Sequence, residues 1–311
     1  MLLVITYLPN PHPLYTMESL LQKHGGSHNL CIYAASTGKL DILQWAHDNG
    51  HLSVETLSKI SIEAAMYGHL HILEYLKDND LEIDVYICIR EAAKYGNMNI
   101  VEWLHDNGCN PASSEEQGWA CCFAASGGHL KILQWLRSQG YQWDYYTCFK
   151  AAANGHLHVL QWAREHGCPW NETTCSHAAE NGHLNILQWA RNQGCPWDET
   201  TCIKAAIGGH LNILQWARKE GCEWNDDVCR CAAKYGQLHV FQWATENGCK
   251  WSLSHLFYEH ITVHLHVLKW ALSWAKEHRK PLNIKTIFTE AISQRKTLHV
   301  ARWLLETKHV D

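Results

Sequence analysis

The chain has 311 residues, of which 46% are hydrophobic and 18% charged, a composition that supports a sizeable core and excludes an intrinsically disordered protein. Its formal net charge of -5 provides no chain-wide basic surface for phosphates or anionic lipids, so we expect neither nucleic acid nor a membrane as a partner. Fourteen cysteines in a chain of this length, without a sign of export, predict reduced thiols and an intracellular location, cytoplasmic or nuclear.

The first 30 residues are less regular than those that follow. The apolar run from Met1 to Leu8 has no basic leader and is too short to span a bilayer, so we expect neither a signal peptide nor an anchor. A helix-like run extends from Met17 to His24. We therefore predict that residues 1–30 form an N-terminal cap or a degenerate half repeat.

From residue 31 to residue 311 the chain repeats one pattern about ten times. Glycines recur every 27 to 32 residues, at Gly38, Gly68, Gly96, Gly128, Gly155, Gly182, Gly209 and Gly236. The frame continues through Val263 and Lys296 in two divergent last copies, and the longest insertion, residues 271–295, separates them. A tryptophan, or once a tyrosine, follows each of these ten positions by seven residues, and fourteen of the sixteen tryptophans occupy only two repeat positions. Such periodicity indicates a repeat array.

One unit, read from Asp198, predicts two helices separated by a glycine turn. Asp198 is a suitable N-cap for the first helix, and its small residues Ala205 and Ala206 would let neighbouring helices approach closely. The second helix begins near Leu211, carries a wider apolar face that includes tryptophan, and is stopped by Gly221. Neither helix can bury its apolar side alone. We therefore predict an all-α fold, an α-solenoid of about ten helix-turn-helix repeats, with the tryptophans packed in its core.

The stretch AAIGGHLNILQWARKEGCEWN resembles the AAxxGHLEVVKLLLExGADVN portion of ankyrin repeats, and the resemblance extends from about Cys31 to Leu305. The units here are 27 residues long rather than about 33, and the missing residues fall where ankyrin proteins carry a β-hairpin finger. The resemblance thus implies short or absent fingers. This short, Gly-Cys-Pro-Trp form is similar to ankyrin proteins of large DNA viruses of amoebae and of some protists. A viral source would place the chain inside a host cell.

Cysteine and histidine also follow the repeat. Eleven of the fourteen cysteines fall at two repeat positions, which spreads them along the stack instead of converging them on one metal ion, so we interpret them as structural thiols. The histidines after the turn glycine are interpreted as hydrogen-bonding to backbone. No phosphate loop, nucleophile elbow or HExxH motif is found, so we expect no catalytic residue, no cofactor, no metal and no enzymatic activity.

The variable residues of the first helix are the candidate binding site. By resemblance to ankyrin proteins they line the concave surface, and exposed aromatic and cationic side chains are typical of interface hot spots. The ten candidates are Tyr67, Lys94, Tyr95, Phe149, Lys150, His177, Lys204, Arg230, Lys234 and Tyr235.

The leading hypothesis is a monomeric, non-enzymatic scaffold that binds a protein partner on this face. A second hypothesis is a substrate adaptor of a ubiquitin ligase, since viral ankyrin proteins often carry an F-box and Leu8-Pro9 with Ser19-Leu20-Leu21 is similar to its beginning. A third, a metal or redox sensor, would depend on the cysteines.

Overall fold

A computed structural model describes residues 17–108, 119–252, 264–280, 284–293 and 298–306. The chain divides into two compact units: unit 1 comprises Met1–Thr147 with His158–Cys168, and unit 2 comprises Cys148–Leu157 with Pro169–Asp311. The sequence boundary expected at residue 30 is a different division, and it stays a prediction. The glycine-replacing positions Val263 and Lys296 lie outside the described residues.

Unit 1 contains a single leading helix followed by helix pairs. Its helices are α1 (Met17–His24), α2 (Ser27–Thr37), α3 (Leu40–Asp48), α4 (Val54–Tyr67), α5 (Leu70–Asp78), α6 (Val85–Tyr95), α7 (Met98–Asp106), α8 (Trp119–Gly127) and α9 (Leu130–Ser138). The next two helices, α10 (Tyr145–Ala153) and α11 (Leu157–Glu165), have residues in both units. The first helices of the repeats in unit 1 pack in sequence, α2 on α4, α4 on α6 and α6 on α8.

Unit 2 follows the same plan. Its helices are α12 (Glu172–Glu180), α13 (Leu184–Asn192), α14 (Glu199–Gly208), α15 (Leu211–Lys219), α16 (Asp227–Lys234), α17 (Leu238–Glu246), α18 (Leu265–Glu277), α19 (Ile284–Ser293) and α20 (Leu298–Glu306). Here α12 packs on α14 and α14 on α16. Across the described ranges of both units there is no strand, so the expected all-α solenoid class, with fingers absent there, is confirmed.

Local capping explains where the first helices begin and end. The Asp198 carboxylate accepts a hydrogen bond from the Thr200 amide at 3.0 Å, as predicted for the N-cap of α14. Asn171 caps α12 in the same way, accepting from the Thr173 amide at 3.1 Å. At the other end Gly209 adopts the left-handed conformation, with φ 77°, which a side chain would disfavour.

The core consists of small residues on the first helix and branched aliphatic residues on the second. Ala205 and Ala206 are fully buried on α14, and Ile213, Leu214 and Ala217 are fully buried on α15. The alanine pairs let adjacent first helices approach closely, while the larger aliphatic side chains fill the space behind them. This arrangement agrees with the prediction that the first helix carries small residues and the second helix carries the large apolar ones.

The tryptophans correct one expectation, because none of those described belongs to the buried core. Most are half-buried and cover the core from outside. In unit 2, the Trp197 and Trp216 rings meet edge to face, with centroids 5.7 Å apart, and the Arg191 guanidinium lies 4.2 Å from the Trp197 ring centre. Tryptophan is large and carries an N–H group, so a margin position that leaves one edge in water suits it better than the narrow alanine-lined interior.

Candidate functional site

The candidate binding residues lie on the exposed side of the first helices. We call this side of the first helices in either unit the first-helix face; Tyr67, Lys94 and Tyr95 belong to it in unit 1, and the other seven candidates together with Glu180 belong to it in unit 2. None of the ten is buried. Tyr67, Tyr95 and Tyr235 are 55%, 47% and 46% exposed, which places them among the most exposed large apolar side chains in the described part of the chain.

The exposed tyrosines share one local cause. Each stands immediately before a repeat glycine, where the first helix ends. Tyr67 is the last residue of α4 and precedes Gly68, whose φ of 83° turns the chain away from the helix axis. The final side chain of the helix therefore projects past the packed part of the repeat. The same position holds asparagine or glycine in the repeats of Gly128, Gly155, Gly182 and Gly209, so the tyrosines are absent there.

In unit 1 the structure pairs Lys94 with its neighbour Tyr95. The Lys94 ammonium lies 5.1 Å from the Tyr95 ring centre, within the range of a cation–π contact. At an exposed site such a contact contributes about 0.5 to 1 kcal/mol, so it orients the lysine without removing its charge from solvent. The pair places a flat apolar ring and a positive charge side by side.

In unit 2 the structure brings several candidates together through a residue outside the list of ten. The Phe149 and His177 rings meet edge to face, with centroids 4.4 Å apart. Nε2 of His177 lies 3.8 Å from Oε2 of Glu180, and the Lys204 ammonium lies 3.0 Å from the same oxygen. Lys150 completes the group, since its ammonium lies 5.0 Å from the Phe149 ring centre.

The Lys204–Glu180 ion pair is partly exposed, which limits what it contributes. The side chains of Lys204 and Glu180 are 31% and 26% exposed. An ion pair in such a setting contributes about 0 to 1 kcal/mol, because water already solvates both charges. The internal ion pair therefore holds this group only weakly.

The remaining candidates lie on α16 and at its end. Nε of Arg230 lies 2.8 Å from a carboxylate oxygen of Asp227, one turn earlier on the same helix. The Lys234 ammonium lies 5.5 Å from the Tyr235 ring centre, which repeats the lysine–tyrosine arrangement of unit 1. Both units thus present the same kind of cation and aromatic pair at the end of a first helix.

Sequence reasoning missed an exposed aromatic cluster in unit 1. Trp119 and Tyr146 are 40% and 38% exposed, and their rings stack with centroids 5.9 Å apart. Tyr145 stacks on Tyr146 at 4.4 Å, while Phe123 lies 6.3 Å from Trp119. The sequence does contain an indication of this cluster. Trp119 is one of two tryptophans outside the two regular repeat positions, and both Trp119 and Tyr146 stand nine residues before a repeat glycine.

The cysteines are structural in the part of the chain that the structure describes. All thirteen that are described are buried. The Cys222 thiol donates to the carbonyl oxygen of Asp198 at 3.3 Å, linking a connecting loop to the preceding helix cap. Burial raises the pKa of Cys121 to about 12 and that of Cys31 to about 11, which keeps both in the unreactive thiol form. Among the described residues, no three His, Cys, Asp or Glu side chains lie together as a metal site would need.

The described turn histidines His69 and His129 bind backbone, as predicted, and the carbonyl groups that they bind belong to the preceding repeat. Nε2 of His69 donates to the Ser36 carbonyl at 3.2 Å, and Nε2 of His129 donates to the Lys94 carbonyl at 3.0 Å. A second set, two residues further on, was not predicted: His71 donates to the Gly38 carbonyl at 3.1 Å. These bonds satisfy carbonyl groups at the ends of first helices, which have no partner within their own helix.

Comparison with known proteins agrees with the repeat pattern. No curated protein matches the chain. Among the described helices, of which α4 is the longest with 14 residues, none combines the length and apolar character needed to cross a membrane. Residues 61–147 match a family model described as ankyrin repeats in three copies, and residues 148–191 match a second, described as ankyrin repeats in many copies. The resemblance to the short viral form stays a prediction. Across residues 61–191 the chain is therefore similar to ankyrin repeats.

Proposed function

We propose that the protein is a non-enzymatic scaffold whose first-helix face binds a protein partner. Ankyrin repeats generally mediate protein–protein interaction. By resemblance to ankyrin proteins, we expect this face to be the concave one. The observation that supports the proposal best is the exposure of Tyr67, Tyr95 and Tyr235 at one repeat position, where large apolar side chains gain most from being covered.

Site-specific photocrosslinking tests this proposal. A photoreactive phenylalanine analogue replaces Tyr67 or Tyr95 on the first helices, or Glu74 or Glu102 on the exposed side of the second helices as matched controls in the same unit. We expect one protein to be captured from native-cell extract at the tyrosine positions and not at the glutamate positions. Capture of the same protein equally from both sets, or only from the controls, would overturn the assignment of the face.

We also propose that the protein is a monomer, that it is intracellular and that nucleic acid is not among its partners. Sedimentation at equilibrium tests the first, and imaging of a tagged chain tests the second.

The ligase-adaptor alternative depends on residues 1–30, of which the structure describes only 17–30, namely α1 and the start of α2. Deletion of residues 1–30 followed by a binding assay with ligase subunits tests that alternative. The sensor alternative has no metal site among the described residues.

A further inference from the structure

Three basic side chains occupy one repeat position in successive repeats of unit 2. Lys150, His177 and Lys204 each stand five residues before a repeat glycine, so they are 27 residues apart in the sequence. The Phe149–His177 ring contact joins the first two repeats, and the packing of α12 on α14 joins the second and third. The three side chains therefore form a column that crosses the first-helix face from repeat to repeat.

The column has an excess of basic groups. Glu180 is the acidic side chain that contacts it, and that carboxylate is shared between His177 and Lys204. The other acidic residues of α12 and α14, Glu172 and Glu199, lie in the first turns of their helices, more than one turn before the column residue. The whole chain carries a formal charge of -5, so the column is opposite in sign to the molecule around it.

The spacing of the column suits an extended chain. Packed helices lie about 8 to 10 Å apart, which sets the distance from one column residue to the next. A polyproline II segment has three residues per turn and rises about 3.1 Å per residue, so every third side chain projects on the same side, about 9 Å further along. Carboxylates three residues apart would therefore meet successive repeats.

We propose that this column binds an acidic segment of the partner, in an extended conformation with carboxylates at every third residue. The inference rests on the proposed function and names the chemistry of the partner for the same face. The Phe149 ring beside Lys150 provides an apolar surface for the intervening side chains. The internal pairs of Glu180 give way at small cost, because they are partly exposed.

The test uses the full chain and a fluorescein-labelled peptide of four Glu-Pro-Ala triplets, followed by fluorescence anisotropy at low salt. A peptide of the same composition with the glutamates grouped at one end tests the spacing, and a Gln-Pro-Ala peptide tests the charge. A single-stranded oligonucleotide tests whether the column prefers nucleic acid instead. We expect the spaced acidic peptide to bind most tightly and added salt to weaken it.

Charge variants then locate the site. The double variant Lys150→Glu/Lys204→Glu should weaken binding of the spaced peptide about tenfold or more, because two attractions become repulsions. Lys219→Glu/Lys250→Glu makes the same change in net charge at exposed positions of unit 2 outside the first helices, and should change affinity by less than about threefold. His177→Lys adds a permanent charge to the column and should tighten binding. Unfolding curves of each variant confirm that it is folded.

Several outcomes overturn the inference: no binding of the spaced acidic peptide, equal loss in the two double variants, equal affinity for the grouped peptide, or preference for the oligonucleotide. Failure of the wider proposal looks different. If photocrosslinking at Tyr67 and Tyr95 still captures a protein while the acidic peptide fails to bind, the scaffold function stands and only the acidic partner is lost. If crosslinking from the first-helix face also captures no protein, both proposals fall.

Discussion

Replacing Gly96 with alanine tests whether the repeat glycines are needed by the turn alone or also by the next repeat. Gly96 ends α6 with φ 88°, in the left-handed region. A Cβ atom added there would lie 2.7 Å from Cε1 of His129 and 3.0 Å from both ring nitrogens. The His129 ring cannot easily move, since its Nε2 donates to the Lys94 carbonyl at 3.0 Å. The added methyl group is therefore disfavoured twice, by the left-handed backbone conformation and by its overlap with the His129 ring.

The structure also contains a control that separates the two costs. Gly140 has the same φ of 88°, but nothing lies within 4 Å of its added Cβ. Gly140→Ala should cost about 1 to 2 kcal/mol of unfolding free energy, the cost of placing a non-glycine residue in the left-handed region. Gly96→Ala should cost this amount and about 1 to 3 kcal/mol more, because the imidazole must be displaced in a packed interface.

Urea unfolding followed by circular dichroism and by tryptophan fluorescence measures both variants. His129→Ala removes the obstructing ring, so the double variant Gly96→Ala/His129→Ala should be more stable than the sum of the two single losses predicts, by about 1 kcal/mol or more. Equal destabilisation by Gly96→Ala and Gly140→Ala, together with additive losses in the double variant, would refute the idea that glycine and histidine depend on each other across repeats.

The remaining predictions concern the outer layer of unit 2 and the buried thiols. Arg191→Lys should lose about 1 kcal/mol in urea unfolding, because lysine cannot both stack on Trp197 and reach the Cys195 carbonyl, while Arg302→Lys, an exposed pair with Glu306, should lose less than about 0.5 kcal/mol. Burial raises the pKa of Cys121 from about 9 to about 12, so the unfolded chain releases this proton first as the pH rises. This thiol stabilises the fold fully below about pH 9, and its contribution falls by roughly 1.4 kcal/mol per pH unit up to about pH 12. Unfolding midpoints should therefore fall less steeply in this range for Cys121→Ala than for the unmodified chain. A thiol reagent at pH 8 should label the folded protein at least about a hundredfold more slowly than the urea-unfolded protein, and rapid labelling of the folded state would contradict thiol burial.

Most of the repeat could be predicted because its determinants are local. Asp198 caps α14 and Gly209 ends it, as expected from side-chain oxygens that bind helix amides and from the left-handed turn that glycine permits. The second helix begins at Leu211 as predicted and ends at Lys219, two residues before Gly221. Apolar periodicity also identified the buried Leu214 on that helix. Each of these signals acts within one or two turns of the chain.

The parts that could not be predicted depend on side chains from different repeats. Glu180 is shared by His177 on its own helix and by Lys204, which is 24 residues later in the sequence. Periodicity gives the direction of a side chain but not its depth, so it placed Trp216 beside Leu214 without showing that the indole stays half-buried. The repeat pattern also did not predict the length of α18. This helix has 13 residues and includes Trp274, which lies in the insertion and outside the repeat register.

The buried contacts between repeats use none of the ten candidate residues, since none of the ten is buried. In unit 2, α12 packs on α14, and the fully buried residues of these helices include Ala178 and Ala205, whereas the column contributes partly exposed contacts such as the Lys204–Glu180 pair. We therefore expect substitutions on the first-helix face to change binding much more than the free energy of unfolding. Lys204→Glu should change the unfolding midpoint by less than the equivalent of about 1 kcal/mol, because it removes one partly exposed ion pair and adds one repulsion with Glu180.

Ala205→Val is the matched change on the buried side of the same helix, one residue away. It inserts two methyl groups where a fully buried alanine contacts its neighbours, and should cost about 1 to 3 kcal/mol. In the peptide assay the order should reverse: Lys204→Glu should weaken binding of the acidic probe, whereas Ala205→Val, measured where it remains folded, should leave the affinity nearly unchanged. A Lys204→Glu variant as unstable as Ala205→Val would show that the column belongs to the packing of the repeats, and that the partly exposed lysine is not available to a partner.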